Sequence, residues 1–122
     1  MTEIITSLEA LAEPFRTQVR GILADAVERR TYFVVTETFR SFERQQMLFA
    51  DGKSRTMRSN HLIGKAVDLA PVVSFHDGKV QELTWEKAHP AWAILGELAT
   101  KWNVEWGGTW QSFPDFPHLE AR

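Results

Sequence analysis

The sequence contains no cysteine. Disulfide bonds and thiolate ligands are therefore excluded, and any metal ion must be held by histidine and carboxylate side chains. No stretch approaches the roughly 18 consecutive apolar residues of a membrane-spanning helix. The first residues, 1–5, also lack the basic start and unbroken apolar run of a secretion signal. We expect a protein that folds in the cytoplasm and does not insert into a membrane.

The sequence also lacks an excess of charge of one sign. It has 14 lysines and arginines against 16 aspartates and glutamates, a net charge of -2 and a pI near 6.1. This balance gives no reason to expect nucleic acid or an anionic membrane as a partner. A chain of 122 residues with 43% hydrophobic and 25% charged residues is typical of one globular domain. We expect a single domain over residues 1–122, acting as a monomer.

Hydrophobic periodicity predicts an α+β fold, with a small and mainly antiparallel sheet flanked by helices. Helices are predicted from Ser7 to about Arg30 with a break or restart at Pro14, after Ser41, and from Thr84 or Pro90 to about Lys101. Strands are predicted over 32–36, 64–73, 104–106 and 116–120, with a hairpin turn at Asp77-Gly78. We expect the first strand to be central.

Two segments contain the chemistry of a metal site. Ser59 to Asp68 reads Ser-Asn-His-Leu-Ile-Gly-Lys-Ala-Val-Asp, and Asp115 to His118 reads Asp-Phe-Pro-His. His61, Asp68 and His118 make a three-ligand set, which catalytic zinc sites typically use with a further position left to water. Asp115 could then handle the protons of that water. Taken singly, each of these residues could instead be an ordinary surface or hydrogen-bonded core residue.

These segments resemble the M15 family of zinc peptidases, whose members carry Ser-x-His-x-x-Gly-x-Ala-x-Asp followed by Asp/Glu-x-Pro-His. The runs Asp-Leu-Ala-Pro at 68–71 and Trp-Gly-Gly-Thr-Trp at 106–110 resemble the subgroup of L-alanyl-D-glutamate endopeptidases that phages use as endolysins. The resemblance runs from about Val34 to Glu120. It implies a fold like that of Hedgehog and the D-Ala-D-Ala peptidases.

The resemblance implies a role for each candidate residue. It implies that His61, Asp68 and His118 bind Zn²⁺, and that Asp115 acts as general base. Glu120 is a second candidate base, because it would share the strand face of His118. Arg40 begins an Arg-Ser-x-x-x-Gln pattern and is expected to stabilise the oxyanion of the scissile carbonyl.

Arg40 and the substrate-binding candidates could instead have ordinary structural roles. Without the resemblance, Arg40 would be expected to pair with Glu37 or Glu43 at the surface. Thr38 stands where many M15 members have glycine. This difference could change the local turn and therefore the direction of the Arg40 side chain. Substrate-binding residues are expected to be Ser59, Gln45 and Trp110, although Ser59 could instead bond local backbone and Trp110 could belong to the core.

The function implied is a zinc-dependent endopeptidase that cuts the L-alanyl-D-glutamate bond in the stem peptide of peptidoglycan. Such an endolysin would be made in the cytoplasm of the bacterial host and reach the cell wall through a holin pore. One alternative is a D-alanyl-D-alanine carboxypeptidase or dipeptidase of the same family, which needs a donor for the free carboxylate of its substrate. A non-catalytic zinc-binding interaction domain is the other, and the presence of both Asp115 and Arg40 argues against it.

Overall fold

The computed structural model describes residues 2–122 and has an α+β fold, as predicted. Its helices and strands, in chain order, are α1 Phe15–Glu28, β1 Phe33–Glu37, α2 Phe42–Ala50, β2 Ala66–His76, β3 Lys79–Leu83, α3 Ala91–Lys101, β4 Val104–Trp106 and β5 His118–Ala121. Three short 3-10 turns occur at Leu8–Ala10, Asn60–Ile63 and Gly107–Thr109. None of the helices formed by residues 2–122 is long and apolar enough to cross a membrane.

The sheet is antiparallel and has the order β1-β2-β5-β4, with β3 paired to the far end of β2. The expectation of a central β1 is wrong, because β1 lies at an edge. The long strand β2 takes the centre, and Ala66–Pro71 at its start is almost entirely buried whereas most of β1 is half-buried. The register places Asp68 opposite Glu37 on one side and opposite His118 on the other. The sheet therefore gathers residues that are far apart in the sequence.

The hydrophobic core lies between the sheet and helices α1 and α3. Its buried side chains include Phe15, Ile22, Trp92, Leu95 and Leu119. The two helices are also joined at their C-terminal ends, where the Asp25 carboxylate accepts hydrogen bonds from Lys101 Nζ at 2.7 Å and Trp102 Nε1 at 2.9 Å. The helix α2 contributes Gln45 as its buried residue.

The predicted helices are present, and one proposed helix start is wrong. The break at Pro14 is confirmed, since a 3-10 turn capped by Ser7 comes first and α1 begins immediately after Pro14. Thr84 as a helix start is wrong. Its hydroxyl accepts from the Glu86 amide in a turn, and α3 begins only after Pro90. The hairpin turn at Asp77-Gly78 is confirmed.

Candidate metal centre

Three candidate ligands converge on one point of the sheet. His61 comes from the Asn60–Ile63 turn, Asp68 from β2 and His118 from β5, and one ligand atom from each lies within 4.8 Å of the others. His61 Nε2 is 3.3 Å from Asp68 Oδ2, and His118 Nδ1 is 3.2 Å from Asp68 Oδ1. The sequence motifs predicted these residues as one set. The pairing of β2 with β5 brings Asp68 beside His118, and the Asn60–Ile63 turn brings His61 to them.

The outer nitrogen of each imidazole is held by an acceptor. His61 Nδ1 donates to the carbonyl oxygen of Thr38 at 2.7 Å, and His118 Nε2 donates to Glu120 Oε1 at 2.8 Å. These bonds leave His61 Nε2 and His118 Nδ1 to face Asp68. Metal-binding histidines in proteins are usually oriented in this way, through a hydrogen bond from the nitrogen that does not bind the metal. Two imidazole nitrogens and one carboxylate oxygen fit a catalytic metal site with an open position.

The backbone around His61 is fixed by short-range contacts. Ser59 Oγ accepts from the His61 amide at 3.2 Å, and the Arg40 amide donates to the His61 carbonyl at 2.9 Å. Gly64 ends the turn with a φ of +69°, in the left-handed region that favours glycine. A Cβ there would also lie 3.0 Å from the Ala10 carbonyl oxygen. These contacts determine the direction of the imidazole.

The electrostatics of the three ligands are strongly coupled. Burial would raise the pKa of Asp68, but hydrogen bonds from His118 and His61 outweigh it and hold that pKa far below its usual range. Burial would lower the pKa of His118, but hydrogen bonds to Asp68 and Glu120 raise it to about 9. Asp68 is therefore ionised at neutral pH. The proton on His118 Nδ1 occupies the position that a metal ion would take.

Asp115 lies in the loop before β5 and is held by the Trp-Gly-Gly segment. Its amide donates to the Gly107 carbonyl at 2.9 Å, and its own carbonyl accepts from the His118 amide at 3.2 Å. A Cβ on Gly107 would lie 2.4 Å from the Asp115 carbonyl oxygen, so only glycine permits this approach. Desolvation in the cleft and the charge of Asp68 raise the pKa of the Asp115 carboxyl. The predicted base thus lines the same cleft as the ligands.

Arg40 is buried beside the candidate metal ligands, with 8% of its surface exposed. Its Nη2 donates to Glu37 Oε1 at 2.8 Å, and the same nitrogen is 3.8 Å from Asp68 Oδ2. Its Nε is buried without a partner. The pair with Glu37 expected at the surface does form, but it is buried. Burial would raise the pKa of Glu37, but hydrogen bonds from Arg44 and Arg40 lower it.

The three predicted substrate-binding residues have different positions. Gln45 is completely buried behind Arg40, from which its Oε1 accepts a hydrogen bond at 2.8 Å, so it does not present its side chain to a substrate. Trp110 lines the cleft with its ring centroid 5.3 Å from that of His118. Ser59 also lines the cleft, in addition to its bond to the His61 amide.

One contact of the site has no signal in the sequence. Thr38 fixes His61 through a backbone carbonyl, which leaves no trace in the side-chain pattern. Glu120 was predicted as a second candidate base. Its contact with His118 is consistent with its spacing of two residues from His118 on a strand. The structure uses Glu120 to hold the His118 ring.

One cleft of about 750 Å³ is lined by the candidate ligands, Asp115, Arg40 and Glu120, whereas Thr38 and Gln45 lie buried behind its surface. Metal-ligand candidates lie on its floor, and Asp115 and Trp110 lie on the wall formed by the loop before β5. The opposite wall is the segment 53–60, between α2 and β2. A peptide entering the cleft would therefore meet the candidate ligands, Asp115 and the Arg40 side chain together.

Comparison with known proteins agrees with this geometry. A model of M15 peptidases described as D-alanyl-D-alanine carboxypeptidase matches residues 52–121. The peptidoglycan L-alanyl-D-glutamate endopeptidase CwlK of Bacillus subtilis is 32% identical over 116 residues, covering 82% of this chain and 66% of the relative. The L-alanyl-D-glutamate peptidase of Listeria phage A118 is 28% identical over 116 residues, covering 95% of this chain and 40% of the relative. The chain thus spans only part of the length of both proteins.

A solved structure extends the similarity to the fold. The crystal structure of the Serratia marcescens L-Ala D-Glu endopeptidase ChiX matches with a TM-score of 0.73 and 28% identity. The match covers 99% of this chain and 91% of that one. The α1 helix, which lies outside the sequence resemblance, is therefore included in the shared fold.

Proposed function

The chain belongs to the M15 family of metallopeptidases, and from this premise we propose that it hydrolyses the L-alanyl-D-glutamate bond in the stem peptide of peptidoglycan with Zn²⁺ as its cofactor. The proposal rests on one observation above all. The ligand set His61, Asp68 and His118 shares a cleft with a carboxylate and an arginine that ligation does not require. Two relatives and one structural neighbour, all named for this bond, support the choice of substrate.

The donor set favours zinc over magnesium and calcium. Imidazole nitrogens suit zinc, whereas magnesium and calcium prefer an all-oxygen set. Bound there, zinc would supply Lewis acidity and lower the pKa of water from 15.7 to near 7. Asp68 and the two histidines would hold it. Thr38 and Glu120 would fix the orientation of the histidine rings.

Asp115 is assigned to proton transfer. As a carboxylate it can accept the proton of the attacking water and later deliver it to the amine that leaves. Its position does not depend on its own side chain, because its backbone is bonded to Gly107 and to His118. These bonds hold the backbone of Asp115 at the edge of the ligand set.

Arg40 is assigned to the negative charge that develops on the scissile carbonyl oxygen. Its guanidinium is fixed before substrate binds, since Glu37 and Gln45 accept two of its hydrogen bonds. A preoriented cation in a partly desolvated cleft stabilises such a charge without a reorganisation cost. Trp110 and Ser59 would line the path of the stem peptide on either side of the ligands.

A D-alanyl-D-alanine carboxypeptidase is the second candidate, because the matching family model has that description. It would use the same ligands, base and arginine on a different bond. The two activities differ in the ends that they release. A non-catalytic binding domain would need neither Asp115 nor Arg40 beside the ligand set.

The relationship to a phage peptidase also supports a proposal for the biological setting. We infer a monomeric endolysin, synthesised in the cytoplasm of the bacterial host and released to the cell wall through a holin pore. Sedimentation analysis would test the monomer. Lysis of host cells expressing the chain with and without a co-expressed holin would test the route of release.

Digestion of purified peptidoglycan tests the proposed reaction. The zinc-loaded protein is incubated with the polymer, and mass spectrometry identifies the new ends. New N-terminal D-glutamate that disappears after chelation would support the proposal. Released D-alanine would favour the carboxypeptidase. Absence of any cleavage with zinc bound would contradict both and favour the binding domain.

A further inference from the structure

The cleft contains three cationic side chains that the proposed chemistry does not use. Lys53, Arg55 and Arg58 line it from the segment between α2 and the Asn60–Ile63 turn, and all three are exposed. Among residues 2–122, none of them forms an ion pair with a carboxylate.

Of the four acidic groups within residues 2–122 that line the cleft, three are already engaged elsewhere, and the fourth, Asp115, is assigned to proton transfer. Glu37 pairs with Arg40 and Arg44, Glu120 accepts from His118, and Asp68 faces both imidazoles. A divalent ion on the floor of the cleft would add further positive charge. We call the three exposed cations Lys53, Arg55 and Arg58 the basic wall. They produce a positive potential that favours an anionic group on a molecule bound in the cleft.

The basic wall is held in place by the interior of the protein. The buried Gln45 Nε2 donates to Ser54 Oγ at 2.8 Å and to the Thr56 carbonyl, and the Lys53 amide donates to the Leu48 carbonyl at 2.8 Å. Gln45 is also the residue that accepts from Arg40. A single buried amide thus sets the position of the basic wall relative to the arginine assigned to catalysis.

Arg55 is further positioned by an aromatic ring from the opposite wall. Its guanidinium carbon lies 3.4 Å from the ring centroid of Phe113. Phe113 is 61% exposed. Cation–π stacking uses the face of a guanidinium and leaves its N–H groups available at the edges. Those donors match the two oxygens of a carboxylate.

We propose that Lys53, Arg55 and Arg58 form a subsite for a free carboxylate that lies close to the scissile bond. This rests on the proposed function and identifies the feature of the substrate that the cleft selects. A glutamyl residue within a peptide uses its amine and one of its two carboxyls, so one carboxylate stays free beside an L-alanyl-D-glutamate bond. A C-terminal D-alanine offers the same chemical group, from the other end of the stem peptide.

Two pairs of synthetic stem peptides distinguish these sources. In the first pair the C-terminus is an amide, and the D-glutamyl residue carries either a free carboxylate or a carboxamide. In the second pair the D-glutamyl group is a carboxamide, and the C-terminal D-alanine is either a free acid or an amide. Dissociation constants are measured on the zinc-loaded Asp115→Ala protein, which is expected to bind without turnover.

A cleft variant combines Lys53→Gln, Arg55→Gln and Arg58→Gln with Asp115→Ala. Its matched control carries Lys79→Gln, Lys87→Gln and Arg122→Gln, which remove the same charge at exposed positions outside the cleft. All six side chains are exposed, so both proteins are expected to fold.

We expect the unsubstituted cleft to bind the carboxylate member of one pair about tenfold more tightly than its amide, which corresponds to about 1.4 kcal/mol. The preference should vanish in the cleft variant and persist in the control. The pair that shows it identifies the source of the carboxylate. Equal binding within both pairs, or a preference that survives in the cleft variant, would overturn the subsite.

The proposed function is judged separately, by cleavage of the same peptides with the zinc-loaded wild-type protein. Failure to cut at the L-alanyl-D-glutamate bond would contradict the proposed function whatever the binding ratios are. Cleavage of acid and amide peptides at equal kcat/KM, with equal binding, would leave the reaction standing and overturn only the subsite.

Discussion

At the scale of single residues, Gln45 connects two parts of the cleft. Its side chain accepts from Arg40 and donates to Ser54 and the Thr56 carbonyl, and it has no exposed surface. The resemblance to M15 peptidases implied a residue in contact with substrate. From the burial of Gln45 we infer a positioning role, in which it acts on a substrate only through Arg40 and the basic wall.

The substitution Gln45→Leu tests this role. It would remove the acceptor of Arg40 Nη1 beside an Nε that already lacks a partner, so we expect a loss of about 1–3 kcal/mol in stability. We also expect kcat to fall while the metal content stays at one ion per chain. Chemical denaturation and elemental analysis measure the two effects. The exposed neighbour Gln46→Leu is the control, and an unchanged kcat in Gln45→Leu would contradict the role.

Glu120 is the second residue to which we assign a positioning role. Because its carboxylate holds His118 Nε2, we expect Glu120→Ala to weaken metal binding by about 10- to 100-fold. Competition against a chelator of known affinity measures this. The exposed Glu82→Ala on β3 should bind metal as the wild type does. If Glu120→Ala bound metal normally and lost only turnover, Glu120 would belong with the reacting groups.

At the scale of elements, the Gly107–Thr109 turn determines where Asp115 lies. A methyl group on Gly107 would lie 2.4 Å from the Asp115 carbonyl oxygen and displace the loop before β5. We therefore expect Gly107→Ala to reduce kcat at least tenfold while the chain still binds metal, since the ligands lie in other elements. Steady-state kinetics with metal analysis measure this. Gly78→Ala, in a hairpin turn with open space around it, should leave kcat unchanged.

The junction of α1 and α3 has a predictable pH dependence. Hydrogen bonds from Lys101 and Trp102 lower the pKa of Asp25, so the carboxylate contributes stability above the ordinary carboxyl pKa of about 4 and loses it as the pH falls through the lowered value. We expect Asp25→Asn to lower Tm at pH 7 and to differ less from the wild type at pH 3. Thermal melts at both values test this against the exposed Asp51→Asn. A gap that does not narrow at pH 3 would contradict it.

Local patterns were sufficient for several elements and insufficient for their arrangement. Pro14 and Asp77-Gly78 act on the backbone nearest to them, so the helix break and the hairpin turn were predictable. The neighbours of a strand depend on pairing with distant segments, and β1 was therefore misplaced at the centre. Threonine is common at helix N-caps, but the N-cap of α3 is Pro90 and not Thr84.

The candidate site shows the same division. His61, Asp68 and His118 are separated by up to 57 positions (118 minus 61). The pairing of β2 with β5 brings Asp68 and His118 together, and His61 reaches them from the turn before β2. Composition and spacing offered them only as candidates, and the family motifs grouped them. The Thr38 carbonyl could not be predicted, because a backbone acceptor has no sequence signature. The basic wall could not be predicted, because scattered basic residues are typical of solvated surface.

At the scale of the whole molecule, the fold separates stability from chemistry. The apolar core lies between the sheet and helices α1 and α3, whereas the cleft is built from α2, the turn before β2 and the loop before β5. Buried polar groups of the cleft are held mainly by one another, as in the network of Glu37, Arg40 and Gln45. Substitutions that alter the reaction should therefore leave most of the core intact.

The central claim is that the three-ligand site and the proton-transfer residue are separate parts of one cleft. The most direct test measures bound zinc and stem-peptide cleavage together in the wild type, His61→Ala and Asp115→Ala. We expect one zinc and cleavage at the L-alanyl-D-glutamate bond in the wild type, and neither in His61→Ala. Asp115→Ala should retain one zinc and lose roughly 10²- to 10⁴-fold in rate. Full activity in Asp115→Ala, or full zinc content in His61→Ala, would contradict the claim.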